Sequence, residues 1–519
     1  MRLLSLRPTI RAFAQLPVAA LAMVLFLSLP VASNAQETSS AVRGTVTDAN
    51  GAPIAGVEVT IKNEDTGLTR TAITNSAGDY NVRNLPIATN YSVSVAAEGY
   101  AGARVEGVQL NLGRTSEENF ALETAAAIEE IVVMGTQSVL AQTAVGPSAS
   151  FGLEELENAP AINRNIVDVL RADPRIYVDE SRGDINAVQC AGKSPRFNSL
   201  TVDGVRMNDG FGLNDNGYPT ERMPFSYDAI EQVSVELAPF DVEYGGYSAC
   251  NINSVTKSGG TSFSGSAFYD YTDNDLRSDS LEGNSITTGS YEEKRYGLTC
   301  GGPILQDRLF FFLAYEKLEG ANLFDRGPVG SGAVNEVNIT QADLERIRQI
   351  AINRYQYDPG GIPSSIPLED EKILVKLDLN INDRQRLAFT YNWNDGQNFT
   401  ESDGDQNEFE FQKHLYERAA ELTTYTGVLY SDWTDSFSTQ IRASYLELDN
   451  QQIPQDGLQF GEMQINAPAA DPSQPGVIVY LGSDDSRHAN KLSYDVTSLK
   501  FKGNYYRGDH VYTFGVERE

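Results

Sequence analysis

The sequence predicts a mainly β protein: a small β-sandwich, a compact α+β unit, then the N-terminal part of a transmembrane antiparallel β-barrel. Short strands broken by Gly and Asn turns fill residues 41–123. Between Leu200 and Gly260, short apolar strands meet an Asp-Gly turn and a Gly-Gly corner, as in a compact module. From Ser262 the chain changes to long segments of period two, rich in Tyr and Phe. That is the pattern of strands with lipid on one side and water on the other. A compact module feeding such hairpins predicts a plug inside a membrane barrel.

An export signal precedes these parts. Arg2, Arg7 and Arg11 come before the apolar run Leu16–Leu29, and Ser33-Asn34-Ala35 supplies small residues ahead of Gln36. Residues 1–35 therefore read as a secretory signal peptide cut between Ala35 and Gln36. The run is too short for a retained transmembrane helix, and Pro17 interrupts it. Cleavage removes three Arg and no acidic residue, moving the net charge from -31 to -34. So acidic a chain argues against a nucleic-acid partner, which needs basic patches to displace counterions. The lumen and loops of a barrel tolerate such charge. Mean hydropathy of -0.33 excludes a helical membrane protein. Three Cys in an exported chain predict one disulfide and one leftover thiol. Cys190 and Cys250 both fall in the compact unit, and closing that loop contributes about 4 kcal/mol in the entropic view. Cys300, in a predicted strand, is the odd one out.

Taken in order, residues 41–123 begin with the alternating Val42–Val46 and a turn at Asp48-Ala49-Asn50-Gly51. Val57, Val59 and Ile61 line one face of the next strand, and Asn75-Ser76-Ala77-Gly78 turns the chain into Tyr80–Val82. Tyr91–Ala96 and Val108–Leu112 follow. Turns every 8–12 residues predict a small all-β sandwich. Residues 124–147 form a linker of small residues containing the β-prone segment 129–135, Glu129-Glu130-Ile131-Val132-Val133-Met134-Gly135. Two readings of it stand side by side: an edge strand of either neighbour, or an exposed strand waiting for a partner to pair with it.

The plug-like unit spans residues 148–260. Leu153–Leu156 starts a polar helical turn, and Asn165–Ala172 is a short helix with Ile166, Val169 and Leu170 on one face. Asp173-Pro174 stops it. Strands are expected at Leu200–Val202 and Ile230–Leu237, with a third ending at Val255-Thr256-Lys257. The acidic loop Asn208–Gly217 lacks the ligand spacing and terminal Glu of a calcium loop and reads as solvated.

The partial barrel occupies residues 261–519. Ile373, Val375, Leu377, Leu379 and Ile381 alternate with Leu374, Lys376, Asp378 and Asn380. Leu387, Phe389, Tyr391 and Trp393 alternate in the same way with Ala388, Thr390, Asn392 and Asn394. Phe437, Thr439, Ile441, Ala443 and Tyr445 oppose Ser438, Gln440, Arg442 and Ser444. A soluble antiparallel sandwich with one wet face shows the same period. The connections favour the barrel. Short turns at Asp307-Arg308, Asp383-Arg384, Asp432–Asp435 and Gly508-Asp509 alternate with long polar excursions at Glu319–Asp370, Asp395–Tyr416 and Asp449–Asn490. A helix capped by Thr340, with Leu344, Ile347, Ile350 and Ala351 at helical spacing, is expected within the first excursion.

Chemistry-bearing motifs are few. His414-Leu415-Tyr416-Glu417 has the HxxE spacing of a zinc carboxypeptidase, with His488 or His510 as the third ligand. A catalytic zinc needs three ligands and an open position in a fixed cleft, whereas this motif sits where a polar loop meets a strand. His414 is read as a solvated loop histidine. No nucleophile elbow, phosphate loop or Cys-x-x-Cys pair occurs, so neither catalytic residues nor a cofactor or metal is expected.

The segment GTVTDANGAPIAGVEVTIKN, with SAGDYNVRNLP and YSVSVAAEGY behind it, resembles the carboxypeptidase-regulatory-like domain, a non-catalytic binding or spacer module. The whole chain resembles a TonB-dependent outer-membrane receptor of the Oar-like group. EEIVVMG looks like a TonB box, with Met134 where Thr is usual, and LTVDGV resembles the plug's central Asp-Gly turn. Asp228–Gly260, closing in VTKSGG, resembles the later plug strands, and Glu293–Leu313 the first barrel hairpin. Glu236–Pro239 departs from the Arg-Gly-Pro of many receptors. No ligand pattern of a siderophore or vitamin receptor is evident.

The resemblance implies an outer-membrane transporter of a Gram-negative bacterium, with its N-terminal and plug domains on the periplasmic side. A TonB-type energy-transducing protein of the inner membrane would grip Glu130, Ile131, Val132 and Val133 as an added strand. An unknown bulky extracellular substrate would pass through. A surface adhesion, export or signalling protein on the same scaffold is the alternative, as is a non-functional truncated receptor. About nine strands are expected after the plug, against about 22 in plugged transporters. An open sheet edge is not stable in lipid, so the chain reads as the N-terminal piece of a longer protein.

Overall fold

The computed structural model describes residues 38–124, 130–134, 148–159, 164–179, 187–212, 214, 216–237, 242–276, 278, 280–285, 292–363, 365–486, 490–507 and 510–519. The expected signal peptide and its cleavage pair, Ala35 and Gln36, lie outside them, as do His488 and the turn Gly508-Asp509.

The N-terminal module is two packed sheets. One joins Asp79–Leu85, Ser40–Asp48, Thr115–Glu117 and Phe120–Leu122; the other runs Thr69–Ile73, Glu58–Asn63, Ala88–Ala96, Gly102–Leu110 and Glu130–Met134. Alternation places Val42, Val46, Val59, Ile61, Val93 and Val95 in the shared core, as period-two strands with one wet face require. Tyr91 is fully buried there and its hydroxyl donates to Pro86 O at 2.9 Å, so its polar tip is satisfied. The Asp48 carboxylate accepts the amides of Asn50 (2.9 Å) and Ala52 (2.8 Å), which closes the first turn.

The plug is built on a five-stranded sheet in the order Ser148–Phe151, Ile230–Glu236, Asn251–Thr256, Ser199–Val202, Val205–Arg206. Helices Leu153–Asn158 and Ile166–Leu170 cover it, and the Asn165 side chain caps the second by accepting from the Val167 amide. Ile166, Val169 and Leu170 are buried with Val202, Val233, Val235 and Ile252. Cys190, at the end of the hairpin Ile176–Asp179/Ala187–Cys190, is disulfide-bonded to Cys250 with the Cα atoms 5.9 Å apart. Cys300, half-buried in a barrel strand, is the free cysteine.

Nine antiparallel strands form the barrel wall: Ser264–Asp273, Glu292–Leu305, Leu309–Leu323, Ser365–Asn382, Gln385–Thr400, Tyr416–Thr434, Phe437–Pro454, Lys491–Arg507 and His510–Arg518. Each pairs with its sequence neighbour, and the first and ninth are not joined, so the sheet is open among the described residues. Its two faces differ sharply. Leu387, Phe389, Ile441, Leu499 and Phe514 are exposed on the outside, while Lys376, Asp378, Arg386, Asn392, Gln440 and Arg442 are buried on the inside. Apolar residues facing out and charged residues facing in are the reverse of a soluble sandwich, and this is what a wall between lipid and plug requires.

Two expectations need correction. The long excursions are shorter than their polar sequence suggests, because the wall strands run on into them: Glu319 pairs with Glu369, and Asp395 with Glu421. The polar loops are also not simply solvated. Helix Gln341–Tyr355, the short parallel pair Arg326–Pro328/Asn335–Val337, and the sheet Glu408–Glu410, Val477–Leu481, Met463–Ala467 assemble into a layer with its own core. Val337, Ile339, Leu344, Phe409, Phe411 and Val479 fill it, and Tyr357 stacks on Phe460 at 4.1 Å. Thr340 caps the helix by accepting from the Asp343 amide at 3.1 Å. Ile350, expected on the buried face, is exposed.

The sandwich sits at the opposite end, on the short turns. Asp432 of one turn meets Arg70 (3.6 Å) and the Asn84 amide group (3.2 Å), and the Thr38 hydroxyl lies 2.8 Å from that of Tyr430.

Candidate functional site

The segment carrying Glu130, Ile131, Val132 and Val133 is a strand, Glu130–Met134, and it is docked on the sandwich. It runs parallel to Gly102–Leu110 in the register Gly102↔Glu130, Ala103↔Ile131, Arg104↔Val132, Val105↔Val133 and Glu106↔Met134. Three consecutive β-branched residues suit the pleated ladder. The strand ends the five-stranded sheet, and no further strand covers its outer edge among the described residues. Of the two sequence readings, edge strand of the preceding neighbour is the one realised in this structure. Its row of main-chain groups on the outer edge is a template for one more strand.

Beyond Met134, the chain re-enters described structure at Ser148–Phe151, the edge strand of the plug sheet. The register Ser148↔Glu236 to Phe151↔Val233 ties it antiparallel to Ile230–Glu236. Sandwich and plug also touch directly: the Gln232 side chain accepts the Leu112 amide at 2.6 Å.

The central Asp-Gly turn anchors the plug to the wall. Asp203 and Gly204 have φ of 47° and 80°, the two positive values that a two-residue type I′ hairpin demands between Val202 and Val205. Gly204 has a second constraint, since a Cβ there would lie 1.8 Å from Arg442 Nη1. Only glycine allows the turn and the wall guanidinium to meet so closely. The Asp203 carboxylate accepts from the Thr256 amide (3.0 Å) and hydroxyl (2.6 Å) and from the Thr390 hydroxyl of the wall (3.1 Å). Lys376, reaching inward from the wall, donates to Thr256 O at 2.8 Å and lies 3.7 Å from Asp203. Asp203, Thr256, Lys376 and Thr390 are all buried, so the charges are paired and hydrogen-bonded as burial requires.

Other plug–wall contacts are apolar as well as polar: Ala229 packs with Phe312, Ala314 and Leu374, and Ala420, Leu422, Leu446 and Leu448 of the wall join the plug's core. Ser226 donates to Glu316 at 2.8 Å, Asn392 to Pro224 O at 2.9 Å, and Arg418 reaches Asn214 (2.6 Å) and Glu221 (3.2 Å). Sequence reasoning finds the Asp-Gly turn but not its partners, because Lys376, Thr390 and Arg442 read only as the wet face of period-two strands.

The described residues of the loop Asn208–Gly217 form a self-bonded turn. Asp209 accepts the amides of Phe211, Gly212 and Asn214 at 2.7–3.0 Å. It is also less solvated than expected, since Asn214 and Asn216 are buried and donate to Tyr218 O and Thr220 O.

The HxxE residues do not share a site. Glu417 belongs to a wall strand, paired with Phe399 and Ile453, and His510 starts the ninth strand. His414 is wholly buried in the loop layer, contrary to its reading as a solvated residue. Its ring lies 5.3 Å from that of Tyr480, which comes from a different connection, so the local sequence does not show its burial.

Three family models match successive parts of the chain: a carboxypeptidase regulatory-like domain over residues 41–123, a TonB-dependent receptor plug domain over 141–249, and an outer membrane beta barrel domain over 255–323. The chain is similar to the TonB-dependent transporter Oar of Myxococcus xanthus, with 26% identity over 344 residues covering 62% of this chain. It spans 31% of the length of that relative. Among solved structures it is similar to the siderophore receptor PirA from Acinetobacter baumannii (17% identity, TM-score 0.46, 71% of this chain and 47% of that one). It is likewise similar to the ferric enterobactin receptor PfeA from Pseudomonas aeruginosa (16% identity, TM-score 0.47, 71% and 48%).

Proposed function

Starting from a chain that belongs to the TonB-dependent receptors of the Gram-negative outer membrane, we propose that it is an energised transporter whose coupling handle is the docked strand Glu130–Met134. The observation that carries this reading is that no other strand among the described residues covers the docked strand's outer edge, on a sheet at the periplasmic, short-turn end of the wall. A TonB-type inner-membrane protein adds a strand there. Main-chain hydrogen bonds bear load without requiring particular side chains. Tension peels Glu130–Met134 from Gly102–Leu110, then reaches the plug through Ser148–Phe151, the next described element.

The disulfide sets how far the plug extends under that tension. Load entering at the N-terminal side passes from Cys190 directly to Cys250, bypassing the intervening loop. Ser148–Phe151 and the two helices lie ahead of Cys190 and are free to unravel. Asp203 lies inside the bypassed loop, so its contacts with Lys376 and Thr390 of the wall are spared. A passage therefore opens by partial unravelling of the plug while its central turn stays fixed to the wall. The substrate is a bulky extracellular solute, recognised by the folded loop layer.

That layer also favours a second reading, recognition at the cell surface without transport. Deleting residues 129–135 in the protein as its host expresses it separates the two. Growth on candidate nutrients collapses if the chain is a transporter. Unchanged growth together with intact surface adhesion sinks the transport reading.

A further inference from the structure

We propose that Asp403, His414, Glu462 and Asp484 form a closed site for a divalent transition-metal ion of the zinc class, tying together two loops of the surface layer. One ligand atom from each of the four lies within 4.8 Å of the others. Asp403 and His414 come from the connection after Gln385–Thr400, and Glu462 and Asp484 from the connection after Phe437–Pro454. The groups therefore converge from segments far apart in sequence.

The histidine supplies the observation that a mere cluster of acids would not. His414 Nδ1 lies 2.8 Å from Gly482 O. A carbonyl only accepts, so Nδ1 carries the hydrogen, and in neutral imidazole Nε2 presents a lone pair. That lone pair faces Asp403 Oδ2 at 3.3 Å, and a carboxylate is also an acceptor. Two acceptors at that distance need a cation between them, either a proton or a metal. The separation matches the edge of about 3.4 Å expected for ligands around zinc at its usual bond lengths. A backbone carbonyl holding the far ring nitrogen is the arrangement that orients a metal-binding histidine.

The geometry of the surroundings favours the metal. Three carboxyl groups converge on one imidazole, with His414 and Asp484 both buried. Glu410 adds a fourth carboxylate beside the cluster: it is wholly buried, its Oε1 accepts the Asp403 amide at 2.5 Å, and its Oε2 has no partner. A divalent ion is a cation that one imidazole and several carboxylate oxygens can surround together. The carboxylates are also held in place: Glu462 accepts the Asp485 amide (2.9 Å) and Asp484 the Ser486 amide (2.7 Å). One imidazole with carboxylates suits zinc better than calcium, which takes oxygen ligands. Four protein ligands leave no open position, so the site is structural.

The test uses the detergent-solubilised protein as its host expresses it, stripped with EDTA and titrated with Zn2+ by calorimetry, with bound metal measured after dialysis. One equivalent of zinc is expected in the unmodified protein and in Glu417→Gln. Asp484→Asn and His414→Gln should each weaken binding by about tenfold or more. The zinc-loaded loops should resist limited proteolysis better than the stripped ones. Failure of the unmodified protein to retain one equivalent overturns the proposal whatever the variants do. So does retention of full affinity by the His414→Gln, Asp484→Asn double variant.

Discussion

At the residue scale, buried charge in the plug is matched to partners on the wall wherever the two meet. Asp203 illustrates the economy of the arrangement: one carboxylate satisfies a plug strand through Thr256 and holds the wall through Thr390. Glu231, on the strand Ile230–Glu236, lacks such a match. Burial pushes its carboxyl up to about 7, with Lys257 and Lys376 only partly opposing the shift. A carboxyl raised in the folded state binds more protons there than when unfolded. Its contribution is therefore greatest below its ordinary value of 4.5 and is lost as pH rises through about 7. Glu231→Gln removes the penalty and should stabilise the plug by about 2 kcal/mol at pH 8, with little effect at pH 4. Urea midpoints from pulse proteolysis of the solubilised protein check this; equal midpoints for both proteins at pH 8 contradict it.

At the element scale, the disulfide in the proposed account divides the plug into a part that load can extend and a part it cannot. Pulling single molecules from the N-terminal side should lengthen the Cys190→Ser, Cys250→Ser protein more than the bonded one. The gain is about 200 Å for the 60-residue separation. Equal extensions would show that load does not pass through the bond. Elements are legible from sequence where one local rule decides them. Val57, Val59 and Ile61 declare their strand by period, Thr340 its helix by capping, and Asp203-Gly204 its turn by residue type. The loop layer is not legible. Its core is drawn from Val337, Phe409, Phe411 and Val479 in three separate connections, so no single segment shows the periodicity that betrays a core. His414 reads as solvated for the same reason.

For the whole molecule, the parts follow the direction of force. In the proposed account the sandwich presents a handle at the periplasmic turns, the plug comes after it in sequence, and the loop layer faces the opposite side. Alternation along the wall strands discloses the barrel, because lipid and plug impose opposite demands on its two faces. The docking of Glu130–Met134 is one of two readings that its sequence leaves open, since Ile-Val-Val satisfies any edge and composition does not choose between them. The claim on which the transport account turns is that this strand is the handle. A photocrosslinking residue in place of Val132, activated in intact energised cells, tests it most directly. The account predicts an adduct with the inner-membrane energy-transducing protein. Adducts confined to the protein's own sandwich, with none to that partner, would contradict it.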